Sequence, residues 1–434
     1  MSYTYTPSNA VESKKLDRSS VSLQATYILN KIIGLFVSTF LVSYITQVNR
    51  EAPISVSLTS IGLFFVMHNI IFALIYFLMS YLVDRSNRIW FYRLGLLCKG
   101  AFIILIVFLG QSLAKMSIVA GIVNGISDGV YWSSYNVLKG EMVPRAHADK
   151  FVAISSLFDR VSRVVFSVLL GYLIDVSTFI EVSLYVLIIV ALQIIFSFFI
   201  KAKRPENSKF EFFKYIKYLK TNDEKTKRIK RFYHLALAYA GTSICTSIAS
   251  IFAVLTFKTN LYLGIFTSAF SIISVLTLLV LKRYTKIGRR KVWFMCIAII
   301  GFTASCLSLF GVFKWTYIVY YLVETVSVCL IEYTVDVQRT VIVKKTGNYE
   351  YTCEHQALTE MCLSVVRALC YSLMIVLGLT LEILGFKILM AIIGLFFPLQ
   401  AYLVYKMEKV EKDYALNGDY VPQNCLNKTE TVEQ

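Results

Sequence analysis

Apolar runs of about twenty residues recur along almost the whole chain, each long enough to cross roughly 30 Å of hydrocarbon at about 1.5 Å per residue. Short polar turns separate them. The pattern predicts twelve membrane helices, at residues 25–47, 57–83, 94–110, 116–138, 151–174, 179–200, 232–257, 261–281, 292–313, 316–337, 357–380 and 388–405, called spans 1 to 12 below. The periodicity lapses at 201–231, leaving six spans on either side. The expected organisation is a tail (1–24), a six-helix bundle (25–200), a basic linker with an amphipathic helix (201–231), a second bundle (232–405) and a second tail (406–434). That is an all-α integral membrane protein of twelve transmembrane helices in two six-helix bundles.

Composition agrees: 57% of residues are hydrophobic and 16% charged, which disfavours both disorder and an ordinary soluble domain. The net charge of +17 raises the question of nucleic acid, and the positions of the charges answer it. With both tails in the cytoplasm, 34 of the 44 Lys and Arg residues fall in inside segments. Arg50, Lys115, Lys258, Lys314 and Lys387 fall outside, and Lys31, Lys99, Arg160, Arg163 and Arg367 lie within spans. This positive-inside bias makes the basic charge a matter of topology in a cell membrane protein. No removable signal peptide is expected, since no short apolar core with a cleavage site follows the polar residues 1–24. The nine cysteines lack zinc spacing and read as packing residues or free thiols. In the linker, Lys209 to Lys220 interleaves aromatics with lysines, as in a helix lying on an anionic leaflet.

The two halves repeat one another. After span 2 the chain reads Ser80-Tyr81-Leu82-Val83-Asp84-Arg85-Ser86-Asn87-Arg88; after span 8, Arg283-Tyr284-Thr285-Lys286-Ile287-Gly288-Arg289-Arg290 occupies the matching turn. Arg160 and Gly171 in span 5 recur as Arg367 and Gly378 in span 11. Duplicated six-helix units joined by a linker are a common plan for alternating-access transporters. On these residues the chain resembles the major facilitator superfamily, whose pattern after the second helix is Gly-x-Leu-Ala-Asp-Arg-x-Gly-Arg-Arg. Leu82, Asp84, Arg85 and Arg88 fit the first copy, and Gly288, Arg289 and Arg290 the second. The resemblance implies pseudo-symmetric bundles and a cytoplasmic gate motif that latches neighbouring helix ends, with Asp84 meeting basic groups. Arg204-Pro205-Glu206 after span 6 is similar to part of a sugar-porter signature. The arginine and the Gly-Pro stretch of drug/proton antiporters are missing from spans 4 and 5.

Charges inside membrane spans are costly, so each is a candidate for function. Asp128, Trp132 and Tyr135, with Tyr131 beside them, share a region of span 4 at helical spacing, a wall suited to an organic solute or to an organic cation. An aromatic packing stripe is the open alternative. In span 5, Asp159 precedes Arg163 by four residues, an intrahelical pair that leaves Arg160 looking outward for a partner. Arg367 shares that need, while span 10 presents Glu324, Glu332 and Asp336. These groups form either a network rearranged by a proton or solute, or a permanent one that fixes packing. His68 reads as a packing residue or a proton carrier, and Lys31 and Lys99 as chains that snorkel to the interface.

The expected function is thus secondary active transport of a small organic solute by alternating access, coupled to protons through Asp128 or Glu324. The alternatives are a sugar-type facilitator or symporter, or a non-transporting receptor on the same scaffold. No His-Glu-x-x-His and no phosphate-binding glycine loop is present, so an enzyme is not expected. No cofactor and no metal are expected. The expected partners are a small-molecule substrate, protons and membrane lipids, with no nucleic acid and a monomeric chain.

Overall fold

The computed structural model describes residues 18–416, apart from 86, 143–144, 202–209, 222, 258, 285–289 and 346–350. Each predicted span falls on helix. The first half comprises α1 (Arg18–Val48), α2 (Ile54–Arg85), α3 (Arg88–Leu109), α4 (Ser117–Met142), α5 (Arg145–Val176) and α6 (Phe179–Ser197). The linker contributes α7 (Phe212–Lys220). In the second half, span 7 is split into α8 (Glu224–Thr242) and α9 (Cys245–Phe257), followed by α10 (Asn260–Tyr284), α11 (Arg290–Leu307) and α12 (Lys314–Lys345). Span 11 runs in α13 (Thr352–Gly394), which turns back at Glu382 (φ 50°) into span 12, completed by α14 (Phe396–Leu416).

Capping fixes where helices begin, in α3 ahead of the apolar window and in α6 at its first residue. Asn87 begins α3 by accepting from the Ile89 amide at 3.2 Å, and Thr178 and Glu181 cap α6 reciprocally. Among the described residues, eight helical stretches are long and apolar enough to cross a membrane, the last of them, Thr352–Met407, containing the turn at Glu382. The usual distribution of polarity is inverted: Phe108 is 83% exposed while Lys99 is 3% and Glu324 4% exposed. An apolar belt outside and charges inside is what a hydrocarbon solvent demands.

Within the first half, α2 packs on α4 along Gly121, Gly125 and Gly129. A Cβ on Gly125 would stand 2.7 Å from the His68 carbonyl oxygen, so the two backbones approach as only glycine permits. Across the halves the main seams are α2 against α13 and α5 against α10, with the end of α1 against α9.

The linker helix is amphipathic, but its aromatics do not all face a leaflet. Phe213 is 83% exposed, whereas Tyr215 is buried within hydrogen-bonding distance of Tyr233 (3.0 Å) and His355 (3.1 Å), and Tyr218 stacks on Tyr351. Burial pushes the Tyr215 phenol well above its ordinary range. Ahead of it, Phe210 packs between Tyr76 and Phe77 of α2 and Ala357 of α13. The linker therefore straps the two halves together at one end of the bundle, the linker end. Lys209 and the Arg204-Pro205-Glu206 stretch lie outside the described residues.

Candidate functional site

Two adjoining cavities lie between the halves. One, of about 290 Å³, reaches toward the linker end and is bordered by Trp132, Tyr135, Arg339 and His355. The other, of about 340 Å³, is central and bordered by Arg163, Ser247, Thr267 and Glu324. Lys31, His68, Tyr239, Glu332 and Arg367 border both, so helices of both halves meet at the junction.

The structure distributes the predicted site residues unequally. Asp128, Trp132 and Tyr135 line the linker-end cavity; Arg160, Arg163 and Glu324 line the central one; Arg367 lines both. Tyr131 borders neither and is fully buried against Tyr92 and Tyr135, since the helical turn that points Trp132 at the cavity points its neighbour into the packing. Asp159 is buried beside Arg163 at 3.6 Å and borders neither.

The expectation that Lys31 and Lys99 snorkel is corrected. Lys99 is buried and donates to Asp128 at 2.5 Å and to Asn124 at 3.4 Å, and Asn124 in turn meets His68 at 2.9 Å. A carboxylate one helix away outcompetes the interface as a partner for an ammonium at this depth. Lys31 turns inward too, its Nζ 5.3 Å from the Tyr27 ring centroid and 5.9 Å from that of Trp132. Tyr27 stacks on Tyr135 at 5.3 Å, which completes an aromatic corner around Lys31.

Arg160 finds the partner that it lacked locally: its Nη2 donates to Glu332 at 2.6 Å, linking α5 to α12 across the halves. Arg367, its pseudo-equivalent, donates from Nε to Ser243 at 2.8 Å and meets no acid among the described residues. Arg339 pairs with Glu360 at 2.7 Å toward the linker end. Arg160→Gln is expected to cost about 1–3 kcal/mol, because Glu332 would keep its charge without its donor. The thermal unfolding midpoint of the detergent-purified variant checks this, and Glu332→Gln added to it should recover part of the loss.

The end opposite the linker is sealed by small residues and hydrogen bonds. A Cβ on Gly171 of α5 would lie 2.5 Å from the Asn260 carbonyl oxygen, and Gly264 of α10 is as tightly set against Ser167. Asp175 accepts from the Asn260 and Leu261 amides at 3.1 and 2.8 Å, so an acid of α5 caps the first turn of α10 from the other half. Ser43 and Gln47 of α1 donate to the Asn260 side chain at 2.6 and 3.0 Å. Gly378, the counterpart of Gly171, lies against Leu58 of α2. The repeated glycines thus occupy matching seams between the halves, whereas Arg160 reaches across them and Arg367 bonds within its own half.

Of the gate motif, Arg88 is buried and donates to the Val83 carbonyl at 3.4 Å, while Arg85 is exposed over the Tyr81 ring at 4.0 Å. The Asp84 side chain, Gly288, Arg289 and the Arg290 side chain lie outside the described residues. Among the described residues no cluster of His, Cys, Asp and Glu could hold a metal, and eight cysteines are free.

Sequence reasoning passed over Tyr27, Tyr239, Asp175 and Asn260. Tyr27 stands four residues before Lys31, a spacing that was visible; the other three gain their meaning only when distant helices meet.

Comparison with known proteins settles the class. A family profile described as Major Facilitator Superfamily matches residues 22–343. The chain belongs to this superfamily: it is a multi-pass membrane transporter protein, not an enzyme. It is 24% identical over 352 residues to "Uncharacterized protein YqgE" of Bacillus subtilis (strain 168), covering 78% of this chain and 79% of that one. Similar solved structures include a POT family transporter in complex with a thioalcohol-conjugated peptide, at a TM-score of 0.68 and 11% identity, covering 90% of this chain and 96% of that one. The human organic anion transporter MFSD10 (TETRAN) gives 0.60 and 13%, covering 89% and 99%. A mutant of the nucleoside transporter NupG gives 0.63 and 14%, covering 89% and 99%.

Proposed function

We propose that this chain is a secondary active transporter that moves a small organic solute by alternating access and is driven by protons. The observation that supports this most is the pair of joined, charge-lined cavities between the halves, sealed at the far end by the α5–α10 seam. A solute at the junction would touch both halves, and rocking of one half on the other would expose it alternately. Solutes named for the similar folds, a peptide conjugate, organic anions and nucleosides, are of the size such cavities admit.

In this reading the linker end and both termini face the cytoplasm, in keeping with the positive-inside bias. Asp84, Arg85 and Arg88, with Gly288, Arg289 and Arg290, act as the cytoplasmic gate. Asp128, Trp132, Tyr135, Arg160, Arg163 and Arg367 serve binding or coupling, while Tyr131 and Asp159 support them from behind. The chain acts as a monomer among membrane lipids.

Glu324 is the proposed proton carrier. It is buried at the central cavity, accepts a hydrogen bond from Thr325 at 3.4 Å, and forms no ion pair among the described residues. Asp128 is already engaged by Lys99 at 2.5 Å, which makes it the poorer carrier.

The test is purified protein in liposomes, given solute mixtures under an imposed pH gradient, with internal solutes identified by mass spectrometry. Wild type is expected to accumulate at least one solute above equilibrium. Glu324→Gln should abolish accumulation and preserve solute exchange at equal pH. Accumulation unchanged by Glu324→Gln would reject the carrier. Equilibration indifferent to the gradient would instead indicate a facilitator.

A further inference from the structure

Resting on the transporter reading above, we infer that the solute is an organic oxyanion, a carboxylate or a phosphate monoester, clasped between Lys31 and Arg367 where the two cavities join.

The charges around the cavities resolve into partners and remainders. Arg160 is taken by Glu332 at 2.6 Å, Arg339 by Glu360 at 2.7 Å, and Asp128 by Lys99 at 2.5 Å. Arg163 leans on Asp159 at 3.6 Å. Glu324, Asp336 and Lys139 also line one cavity or the other, but only Lys31 and Arg367 among the Lys and Arg residues border both, and neither forms an ion pair among the described residues. A guanidinium cannot shed its proton, and an ammonium at membrane depth that feels Asp159 and Asp336 without forming an ion pair with either is still costly. Their contacts are weak ones, two ring faces for Lys31 and the Ser243 hydroxyl for Arg367. Arg367 bonds Ser243 through Nε, leaving terminal N–H groups as donors in the planar fork that suits an oxyanion.

The aromatic corner argues the same way. Its two nearest rings already face the Lys31 ammonium, so an organic cation settling on Trp132 would meet a like charge. An anion would meet an attractive one, with Tyr27, Trp132 and Tyr135 offering contact for the apolar part of the molecule. Glu332, the carboxylate at the junction, is neutralised by Arg160 and would repel an anion less than its position suggests.

The experiment uses full-length protein purified in detergent and matched aryl probes: benzoate, phenylacetate and phenyl phosphate against benzamide, benzyl alcohol and benzylamine. Binding is read as the concentration-dependent shift of the thermal unfolding midpoint. The carboxylates or the phosphate are expected to stabilise wild type, and the neutral and cationic counterparts not; which oxyanion is stronger tells the two sources apart. Lys31→Gln and Arg367→Gln should each weaken that binding about tenfold or more, the loss of one charge-assisted contact. Lys31→Arg and Arg367→Lys should recover part of it. Should either Gln variant fail to fold, the comparison among probes on wild type still decides.

No stabilisation by any oxyanion probe, equal stabilisation by the amide or amine, or undiminished binding in both Gln variants would overturn the assignment. Proton-driven accumulation of a neutral or cationic solute would overturn it as well, while leaving the transporter reading intact. Oxyanion binding with no accumulation in liposomes would remove the transporter reading and keep this one.

Discussion

Asp128→Leu is expected to cost the fold about 3–5 kcal/mol, and Lys99→Met added to it to recover most of that. The Lys99 side chain is 4% exposed and its partner 16%, so removing the carboxylate strands an ammonium where water cannot reach it. Asn124, at 3.4 Å, is the remaining acceptor and carries no charge. The double variant removes both ions and fills their volume with apolar atoms, a replacement that is often neutral in buried pairs. Thermal unfolding midpoints of the three purified variants against wild type measure the cycle. The double variant also separates packing from transport. If it accumulates solute like wild type, the pair holds α3 to α4 and nothing more; if it folds well and accumulates none, the pair belongs to the mechanism.

The second large effect is expected at Gly264. Replacing it with Val drives a branched side chain against the Ser167 carbonyl on the facing helix, and backbone cannot swing aside as a side chain could. The far end would no longer close. At about 1.4 kcal/mol per tenfold, a clash of about 1–3 kcal/mol lowers the closed population by roughly fivefold to a little over a hundredfold. Uptake into liposomes should fall to background, and a cysteine introduced at Gln47, part of the seal, should become reactive toward a membrane-impermeant maleimide. Gly264→Ala should have the same sign and a smaller size. Wild-type uptake together with an unreactive Gln47→Cys in the Gly264→Val background would show that this seam is not where the halves part.

Much of the architecture was legible because hydrocarbon is a strict solvent: it forces apolar runs of fixed length, and the helices follow them. The interior charges were legible for the converse reason, since Asp128, Arg160, Glu324 and Arg367 stand out against apolar surroundings. Their partners were not. Lys99 looked near enough to an interface to escape because position along one helix gives no account of what the next helix offers. The acid expected opposite Arg367 is a serine hydroxyl, which no charge pattern advertises. The glycines of α4 stand four residues apart at 121, 125 and 129, a spacing open to view that a reading drawn to the neighbouring aromatics passes over. Asp175 was the least readable, for an acid at the end of one helix means little until the first turn of another, eighty-odd residues later, arrives in front of it.

The first helix carries a π turn over Phe36–Leu41. At about 100° per residue, a regular helix would set Lys31 and Ser43 roughly 120° apart around the axis; one residue absorbed by the bulge leaves about 20°. The bulge acts as a phase correction. It lets a single helix point its ammonium into the junction and its hydroxyl into the far-end seal along one line, so a twist imposed at either place is felt at the other.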